Sequence, residues 1–405
     1  MIFLENFKIA LKAIFANKMR SILTTIGIII GVGAVVGVVA IVQGLSFMIS
    51  QELQGVGATY IIVFPQHDPN NPDFSGKDIR ITLEDAKEIQ KNCSAVEYLT
   101  PIIWRAGYIH SNGRKWSGFY IGVNENYQFI SNHYVENGRF ITNEDIEGRK
   151  KIAVIGRTLV KELKLGVNPI GKEIVVEGNP LTVVGIMEKK GQMFGQDQDS
   201  VVILPYTTSQ MIFGEVSSRQ MRLDIKAKSP EKAELAKEQI RETLRKTHKI
   251  PEGKPDDFRI MLQEEILSSV SKILGSITLV VSAVVGISLL VGGVGIMNIM
   301  LVSVTERTKE IGLRKAVGAR KRDILLQFLI EAITLSLVGG VIGVGLGFLL
   351  GKGGAKLIPN FPEAHIPIWA IGLALSFAAV VGIFFGIYPA YKASSLHPIE
   401  ALRYE

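Results

Sequence analysis

Four long stretches without a charged side chain constrain this chain more than anything else in it. Ser21 to Gln51 runs 31 residues, Ile273 to Thr305 runs 33, Ala332 to Gly351 runs 20 and Ile366 to Tyr391 runs 26. About 20 apolar residues suffice for a helix to cross the hydrocarbon core of a bilayer, roughly 30 Å thick. Inside lipid each backbone N–H and C=O must find its partner within the segment, so runs of this kind are helices. Four transmembrane helices follow. At about 1.5 Å per residue the first two runs reach roughly 45–50 Å, more than a bilayer needs, and are expected to continue outside it as a stalk. The first run is also about twice as long as the apolar region of a signal peptide, so it is expected to stay as an anchor.

The charges sort themselves around these helices. Residues 52–272 form one polar region of 221 residues with 30 bases and 30 acids, leaving 15 bases against 8 acids for the rest and hence the whole net charge of +7. Lys8, Lys12, Lys18 and Arg20 precede the first helix, and seven bases crowd the 19 residues Thr305 to Asp323, TERTKEIGLRKAVGARKRD, between the second and third. Short basic loops stay on the cytoplasmic side. Both termini and the 305–323 block are therefore expected in the cytoplasm and the large domain outside, in a multi-pass protein of the cytoplasmic membrane. The basic balance is a topology signal and calls for no nucleic acid. Within the block, acids precede bases by three to five residues, as along one helix. The expected division is 1–20 amphipathic N-terminal helix, 21–51 first span and stalk, 52–115 with 215–272 an outer α/β subdomain, 116–214 an inserted β-rich subdomain, 273–304 second span and stalk, 305–323 cytoplasmic loop, 324–351 third span, 366–391 fourth span and 392–405 cytoplasmic tail. The N-terminal segment, with Phe3, Phe7, Leu11 and Ile14 at helical spacing, also reads as the start of the first span.

In the outer region Tyr60 to Phe64 reads as a strand, Thr82 to Lys91 as a helix capped by Thr82, and Val96 to His110 as a returning strand. Met221 to Ala227, a helix from Pro230 to about Lys246 capped by Ser229, and Phe258 to Leu262 repeat the pattern. Between them lie short β-rich runs, KIAVIG, KEIVVEG, LTVVGIM and SVVILP. Gly191 to Ser200 reads as an exposed loop, and the single Cys93 as a small buried hydrophobe.

No catalytic pattern emerges. The phosphate loop GxxxxGK[ST], HExxH and GxSxG are absent, and six histidines lie scattered without ligand spacing. Neither cofactor nor metal is expected on this chain, and it is not expected to be an enzyme. In the membrane runs, glycines recur at spacing four: Gly27 and Gly31, Gly33 and Gly37, Gly339, Gly343 and Gly347, Gly382 and Gly386. That spacing lets helix backbones approach closely. Glu331 is the one ionisable residue well inside a span; its place near the basic block favours a structural ion pair over a proton relay.

These segments resemble a known family. TERTKEIGLRKAVGARKRDI in the block, NGRFITNEDIEGRKKIAVIG, NPIGKEIVVEGNPLTVVGIMEKKG and DSVVILPYTT in the outer region, and YPAYKASSLHPIEALRYE at the end (Pro389, Pro398, Glu400, Ala401, Leu402, Arg403) are similar to permeases of ABC transporters of the macrolide-exporter (MacB) and lipoprotein-release type. The likeness covers the chain. It implies an FtsX-like permease with a MacB-like periplasmic core domain, working as a homodimer with an ATPase. Since Met1 leads straight into the first helix, that ATPase is expected as a separate subunit carrying ATP and Mg. An extracytoplasmic adaptor is a further partner the resemblance allows. The implied mechanism is mechanotransmission, in which ATP-driven closure of the ATPases moves the outer domain. By the same analogy Glu306, Arg307, Glu310, Ile311, Gly312, Arg314, Lys315 and Gly318 contact the ATPase, with Leu313, Ala316 and Val317 adding an apolar surface. Export of an amphiphile, antibiotic or peptide is the leading function. Lipoprotein release and FtsX-like control of cell-wall enzymes are the alternatives.

Overall fold

A computed structural model describes residues 18–66, 80–193, 196–214, 221–357 and 367–403. The chain divides into two compact units, one formed by Met1–Phe47 with Ser271–Glu405 and the other by Met48–Val270. Residues 1–17, which carry most of the expected N-terminal helix, lie outside the described residues.

Among the described residues, four apolar helices are long enough to cross a membrane. They are α1 (Lys18–Val56), α8 (Gln263–Glu306), α10 (Lys321–Leu357) and α11 (Ile368–Ser395). At 39 and 44 residues, α1 and α8 are about 58 and 66 Å long. Ile28, Val32 and Val36 of α1, Leu289 and Ile296 of α8, Phe328 and Ala332 of α10, and Ala374 and Ala378 of α11 form the buried core. Leu279, Val291, Phe384 and Ile368 point out of the bundle at 67–87% exposure, as hydrocarbon-facing side chains should.

Glycine sets the helix spacing. A Cβ on Gly27 would sit 2.7 Å from the Cα of Gly292, and one on Gly31 2.9 Å from the Leu289 side chain, so α1 meets α8 backbone to backbone. A Cβ on Gly33 would lie 3.2 Å from the Gly343 carbonyl oxygen and one on Gly37 3.7 Å from that of Gly347, and Gly339, Gly343 and Gly347 receive Ile28, Val32 and Val36 of α1. Gly382 and Gly386 likewise admit Ser336 and Ala332 of α10. Where lipid is as apolar as leucine, close van der Waals contact replaces the hydrophobic drive.

The second unit is built on a ten-stranded sheet. Its first part has β1 (Tyr60–Pro65), α2 (Leu83–Asn92), β2 (Val96–Ser111), β11 (Met221–Ala227), α7 (Ala233–Thr247) and β12 (Phe258–Leu262). The spatial order β12-β1-β11-β2, antiparallel throughout, is that of two interleaved βαβ units. Alternation sends Ile61, Val63, Ile103, Leu223 and Ile225 onto α2 and α7, where Ile89, Ala236, Ile240 and Cys93 complete the core. Thr82 caps α2 by a reciprocal box, its Oγ accepting from the Asp85 N–H at 3.2 Å while Asp85 accepts from the Thr82 N–H at 2.8 Å. Ser229 makes no side-chain cap bond, and a short 3-10 turn, Pro230–Lys232, precedes α7.

The second part is a closed ring. β3 (Arg114–Val123), β4 (Val135–Gly138), β5 (Ile152–Ile155), β6 (Glu173–Val176), β7 (Asn179–Met187) and β10 (Val201–Pro205) supply its strands. Pairing runs β2-β3-β10-β5-β7-β6 and back to β2, with β4 outside on β7. Tyr120, Ala153, Ile155, Val176, Val183, Val202 and Leu204 fill it, and Leu159 of α5 (Arg157–Glu162) and Leu163 just after it join the same core. Because β2 belongs to both parts, the boundary expected at 115/116 falls inside β3, and one sheet continues through it. Among the described residues the unit also has the short helices α3 (Tyr127–Ser131), α4 (Asn143–Glu147) and α6 (Tyr206–Phe213).

Gly191 to Ser200 is better anchored than an exposed loop. β8 (Gln192–Met193) pairs with β9 (Gln196–Asp197), and buried Asp199 accepts from the N–H groups of Lys190 at 2.8 Å and Gly191 at 3.0 Å. Gly156 lies so close to the Asp199 carbonyl that a Cβ would fall 2.1 Å from it.

Candidate functional site

The block between α8 and α10 is two helices with a break, not the single helix its charge pattern suggests. α8 ends at Glu306, Arg307 leaves helical geometry at φ −103°, ψ 16°, and α9 (Thr308–Ala316) begins. Glu306 therefore belongs to the preceding helix, and Glu310 with Arg314, joined at 2.6 Å, is the acid-to-base pair that α9 itself carries. Thr308 secures the break by donating to the carbonyls of Val304 and Thr305, each at 2.9 Å. α9 ends in a Schellman turn: Gly318 takes φ +103°, and the N–H groups of Ala319 and Gly318 return to the Arg314 and Lys315 carbonyls at 3.0 and 3.1 Å.

A 3.6-residue period divides α9 into two faces. Thr308, Ile311 and Gly312 turn inward. Ile311, 1% exposed, joins the core of Met300, Val304, Ile324, Phe328, Ala390 and Ala393. At Gly312 a Cβ would lie 2.7 Å from that of Ala401, on the terminal helix α12 (Pro398–Arg403). Lys315 reaches the end of α11, donating to the Leu396 carbonyl at 2.7 Å and to that of Ser394. Those carbonyls have no helical partner and sit at the negative end of the α11 dipole, a natural seat for an ammonium. Burial, then the charge of Lys321, lowers the Lys315 pKa from its ordinary value.

The opposite face is open. Leu313 is 58% and Val317 83% exposed, and Lys309, Glu310, Ala316 and Gly318 are exposed beside them. Ile399 and Leu402 of α12, at 80% and 50%, extend the apolar exposure. Arg314 also holds Gln327 of α10 at 2.9 Å, and Arg307 reaches down α10 to buried Glu331 at 3.3 Å. That contact makes Glu331 an ion-pair partner.

The eight residues expected to meet a partner thus separate. Glu306, Glu310 and Gly318 lie on the surface and Arg314 is partly open, whereas Ile311 and Gly312 are buried by their own chain and Arg307 and Lys315 are spent on Glu331 and the α11 carbonyls. These four shape the block and do not present it. Sequence reasoning did not anticipate the α9–α12 contact; the PIEALR segment was visible, but no spacing says where it packs. Gly292 and Gly293, the latter against the Phe385 ring, were also passed over because they fall outside a spacing of four with another singled-out glycine.

Two family models match the chain: the MacB-like periplasmic core domain over residues 21–243 and the FtsX-like permease C-terminal domain over residues 282–398. A macrolide export ATP-binding/permease protein MacB from Rhodopirellula baltica is 37% identical over 98% of this chain and 62% of its own length. The MacB of Bdellovibrio bacteriovorus is 37% identical over 99% of the chain and 62% of its own length. The chain therefore spans about three fifths of these relatives. The ABC transporter permease YknZ of Bacillus subtilis is 34% identical over 99% of both chains. Among solved structures, the periplasmic region of MacB from Actinobacillus actinomycetemcomitans matches with 20% identity and a TM-score of 0.45, covering 55% of this chain and 97% of that one. Four apolar helices together with a matched periplasmic core domain indicate a membrane protein with a large extracytoplasmic domain.

Proposed function

The chain belongs to the ABC transporter permeases that combine a MacB-like periplasmic core domain with an FtsX-like permease domain, and from that premise we propose that it works by mechanotransmission. In this reading a separate ATPase subunit, holding ATP and Mg, docks on the outward face of α9, and its closure is passed through α8 and α1 to the extracytoplasmic unit. The permease acts as a homodimer in the cytoplasmic membrane with both termini and the α9 block in the cytoplasm. The cargo is an amphiphile, antibiotic or peptide handled on the outer side.

One observation carries the proposal. α9 exposes Leu313 and Val317 while Ile311, Gly312, Lys315 and Arg307 tie it to α11, α12 and α10. A loop that only obeyed charge topology would need neither the apolar surface nor the anchors. A rigid lever needs both, since a docked partner moves the spans only through an element that does not give way. The absence of a phosphate loop from these 405 residues supports supply of ATP hydrolysis by another domain. The spans also offer too few polar side chains to line a polar path, which favours action outside the bilayer.

The test is the double variant Glu310→Arg with Arg314→Glu, which keeps an i,i+4 ion pair on α9 and inverts the charge it displays. With the cognate ATPase, loss of complex formation or of permease-stimulated ATP turnover at unchanged thermal stability is expected. Full binding and stimulation would refute docking on this face.

A further inference from the structure

The open face of α8 carries a pattern that lipid does not ask for. Ile277, Val280, Val284, Ile287, Val291 and Val294 follow one another at spacings of three and four, all of them β-branched and each 43–67% exposed. The next step of four lands on Asn298, which is exposed as well. Spacing that alternates between three and four has a period of 3.5 residues, the seam of a left-handed helix pair. Within one chain this seam is open, because the opposite side of α8 does the packing: Leu289 and Gly292 turn to α1, and Gly293 to Phe385 of α11. On α11 the open face is built of other side chains, Trp369, Leu373, Phe377 and Phe384.

Asn298 decides what covers the seam. It lies eight residues before α8 ends at Glu306, about 12 Å along the helix, and so inside the span. Its carboxamide makes no hydrogen bond among the described residues. Hydrocarbon offers neither donor nor acceptor, so an amide left open to it is costly. A carboxamide has an acceptor oxygen and an NH2 donor, which makes it complementary to another carboxamide. A two-fold axis supplies one, since a C2 contact brings the same surface of each copy together. Two copies inserted in the same direction run their α8 helices parallel, and equivalent seam positions then face each other.

We propose that α8 packs along this seam against α8 of a second copy, the two Asn298 side chains hydrogen-bonding each other across the axis. This rests on the homodimer of the preceding reading and adds where its spans meet. The β-branched side chains supply close van der Waals contact where apolar burial gives no drive, and the amide pair fixes the register.

The experiment is oxidative cross-linking of the full chain in native membranes. Cys93→Ser removes the one native cysteine, and single cysteines are then introduced as Val291→Cys on the seam, Leu279→Cys on α8 but off the seam, and Phe384→Cys on α11, all at positions exposed in one chain. A disulfide needs Cα atoms within about 7 Å, so at least about tenfold more linked dimer is expected from Val291→Cys than from either control. Equal yields, a higher yield from a control, or no dimer from Val291→Cys would overturn the seam. Light scattering of the solubilised chain reads the homodimer separately: a dimer that does not link through Val291→Cys refutes the seam alone, whereas a monomer refutes the homodimer with it. Asn298→Val keeps the seam β-branched and is expected to weaken dimer association in detergent about tenfold. Unchanged association would overturn the amide pair.

Discussion

Replacing single membrane glycines by alanine should loosen the helix bundle in proportion to the intrusion of the new methyl. At Gly27 the added Cβ would lie 2.7 Å from a backbone Cα of α8, at Gly343 2.8 Å from Val32 Cβ and 2.9 Å from the Ile29 carbonyl, and at Gly347 2.7 Å from both the Gly33 carbonyl and Val36 Cβ. Carbon atoms prefer about 3.5–4.0 Å, so α1 must part from its neighbour by roughly 1 Å. Overpacking of that size costs about 1–3 kcal/mol, against which alanine recovers up to about 1 kcal/mol of helix propensity. Net destabilisation of about 1–2 kcal/mol is expected at each of the three. Gly339 and Gly37, whose nearest atoms are at 3.3 and 3.7 Å, should be close to neutral. Gly275, Gly286 and Gly345 face open space, so alanine there should stabilise by about 0.5–1 kcal/mol. The assay is thermal unfolding of all eight variants in one detergent, followed by tryptophan fluorescence. If Gly27→Ala and Gly343→Ala melt with the wild type while Gly345→Ala melts earlier, backbone contact is not what holds these helices.

Other outcomes follow from the same geometry. Leu313→Asp with Val317→Asp should weaken ATPase binding by tenfold or so without lowering thermal stability, measured by pull-down and ATP turnover, because both side chains are exposed. Ile311→Ala should do the reverse, costing about 2–4 kcal/mol in the melt through a core cavity. Asp145 accepts from Arg139 at 2.5 Å, Lys150 at 3.0 Å and the Thr142 N–H at 3.1 Å. Burial alone would raise its pKa, yet the Arg139 and Lys150 bonds hold it well below the carboxylate range. Asp145→Asn should cost about 2 kcal/mol in denaturant titration, less than a fully buried pair because both bases are half open to water. His248 donates between Asp257 at 2.8 Å and Asp85 at 3.2 Å, and Asp257 first and Asp85 second lift its pKa from 6.5 to about 9. The folded value being the higher, this stabilisation, roughly 2 kcal/mol after solvent screening, is complete below about pH 6.5 and lost as pH rises through 9. The denaturation midpoint of the full chain should fall across that window, and His248→Gln should flatten the fall.

Much of the architecture is local and was therefore legible. The four spans follow from runs of uncharged residues, since a bilayer admits only helices there, and the strands KIAVIG, LTVVGIM and SVVILP follow from their own β-rich character. The two strand–helix–strand units could be read for the same reason. Closure of the ring could not: it depends on β6 joining β2 some 65 residues away, Val176 beside Ile109, and nothing in either segment names its partner. The long β2 therefore read as a member of one subdomain although it serves both.

The basic block divides the same way. That residues 305–323 join two spans, carry seven bases and place acids ahead of bases at helical spacing could be read from the segment alone, because charge and spacing are properties of the segment. Which face of α9 is spent depends on the neighbours that the fold brings against it. Ile311 is buried, Gly312 abuts Ala401, Lys315 caps α11 and Arg307 meets Glu331, leaving Leu313 and Val317 outward. The partners of Arg307, Lys315 and Gly312 lie 24 to 89 residues further along the chain. A helix's period fixes which of its residues share a face, but which face meets the protein is settled by whatever packs against it.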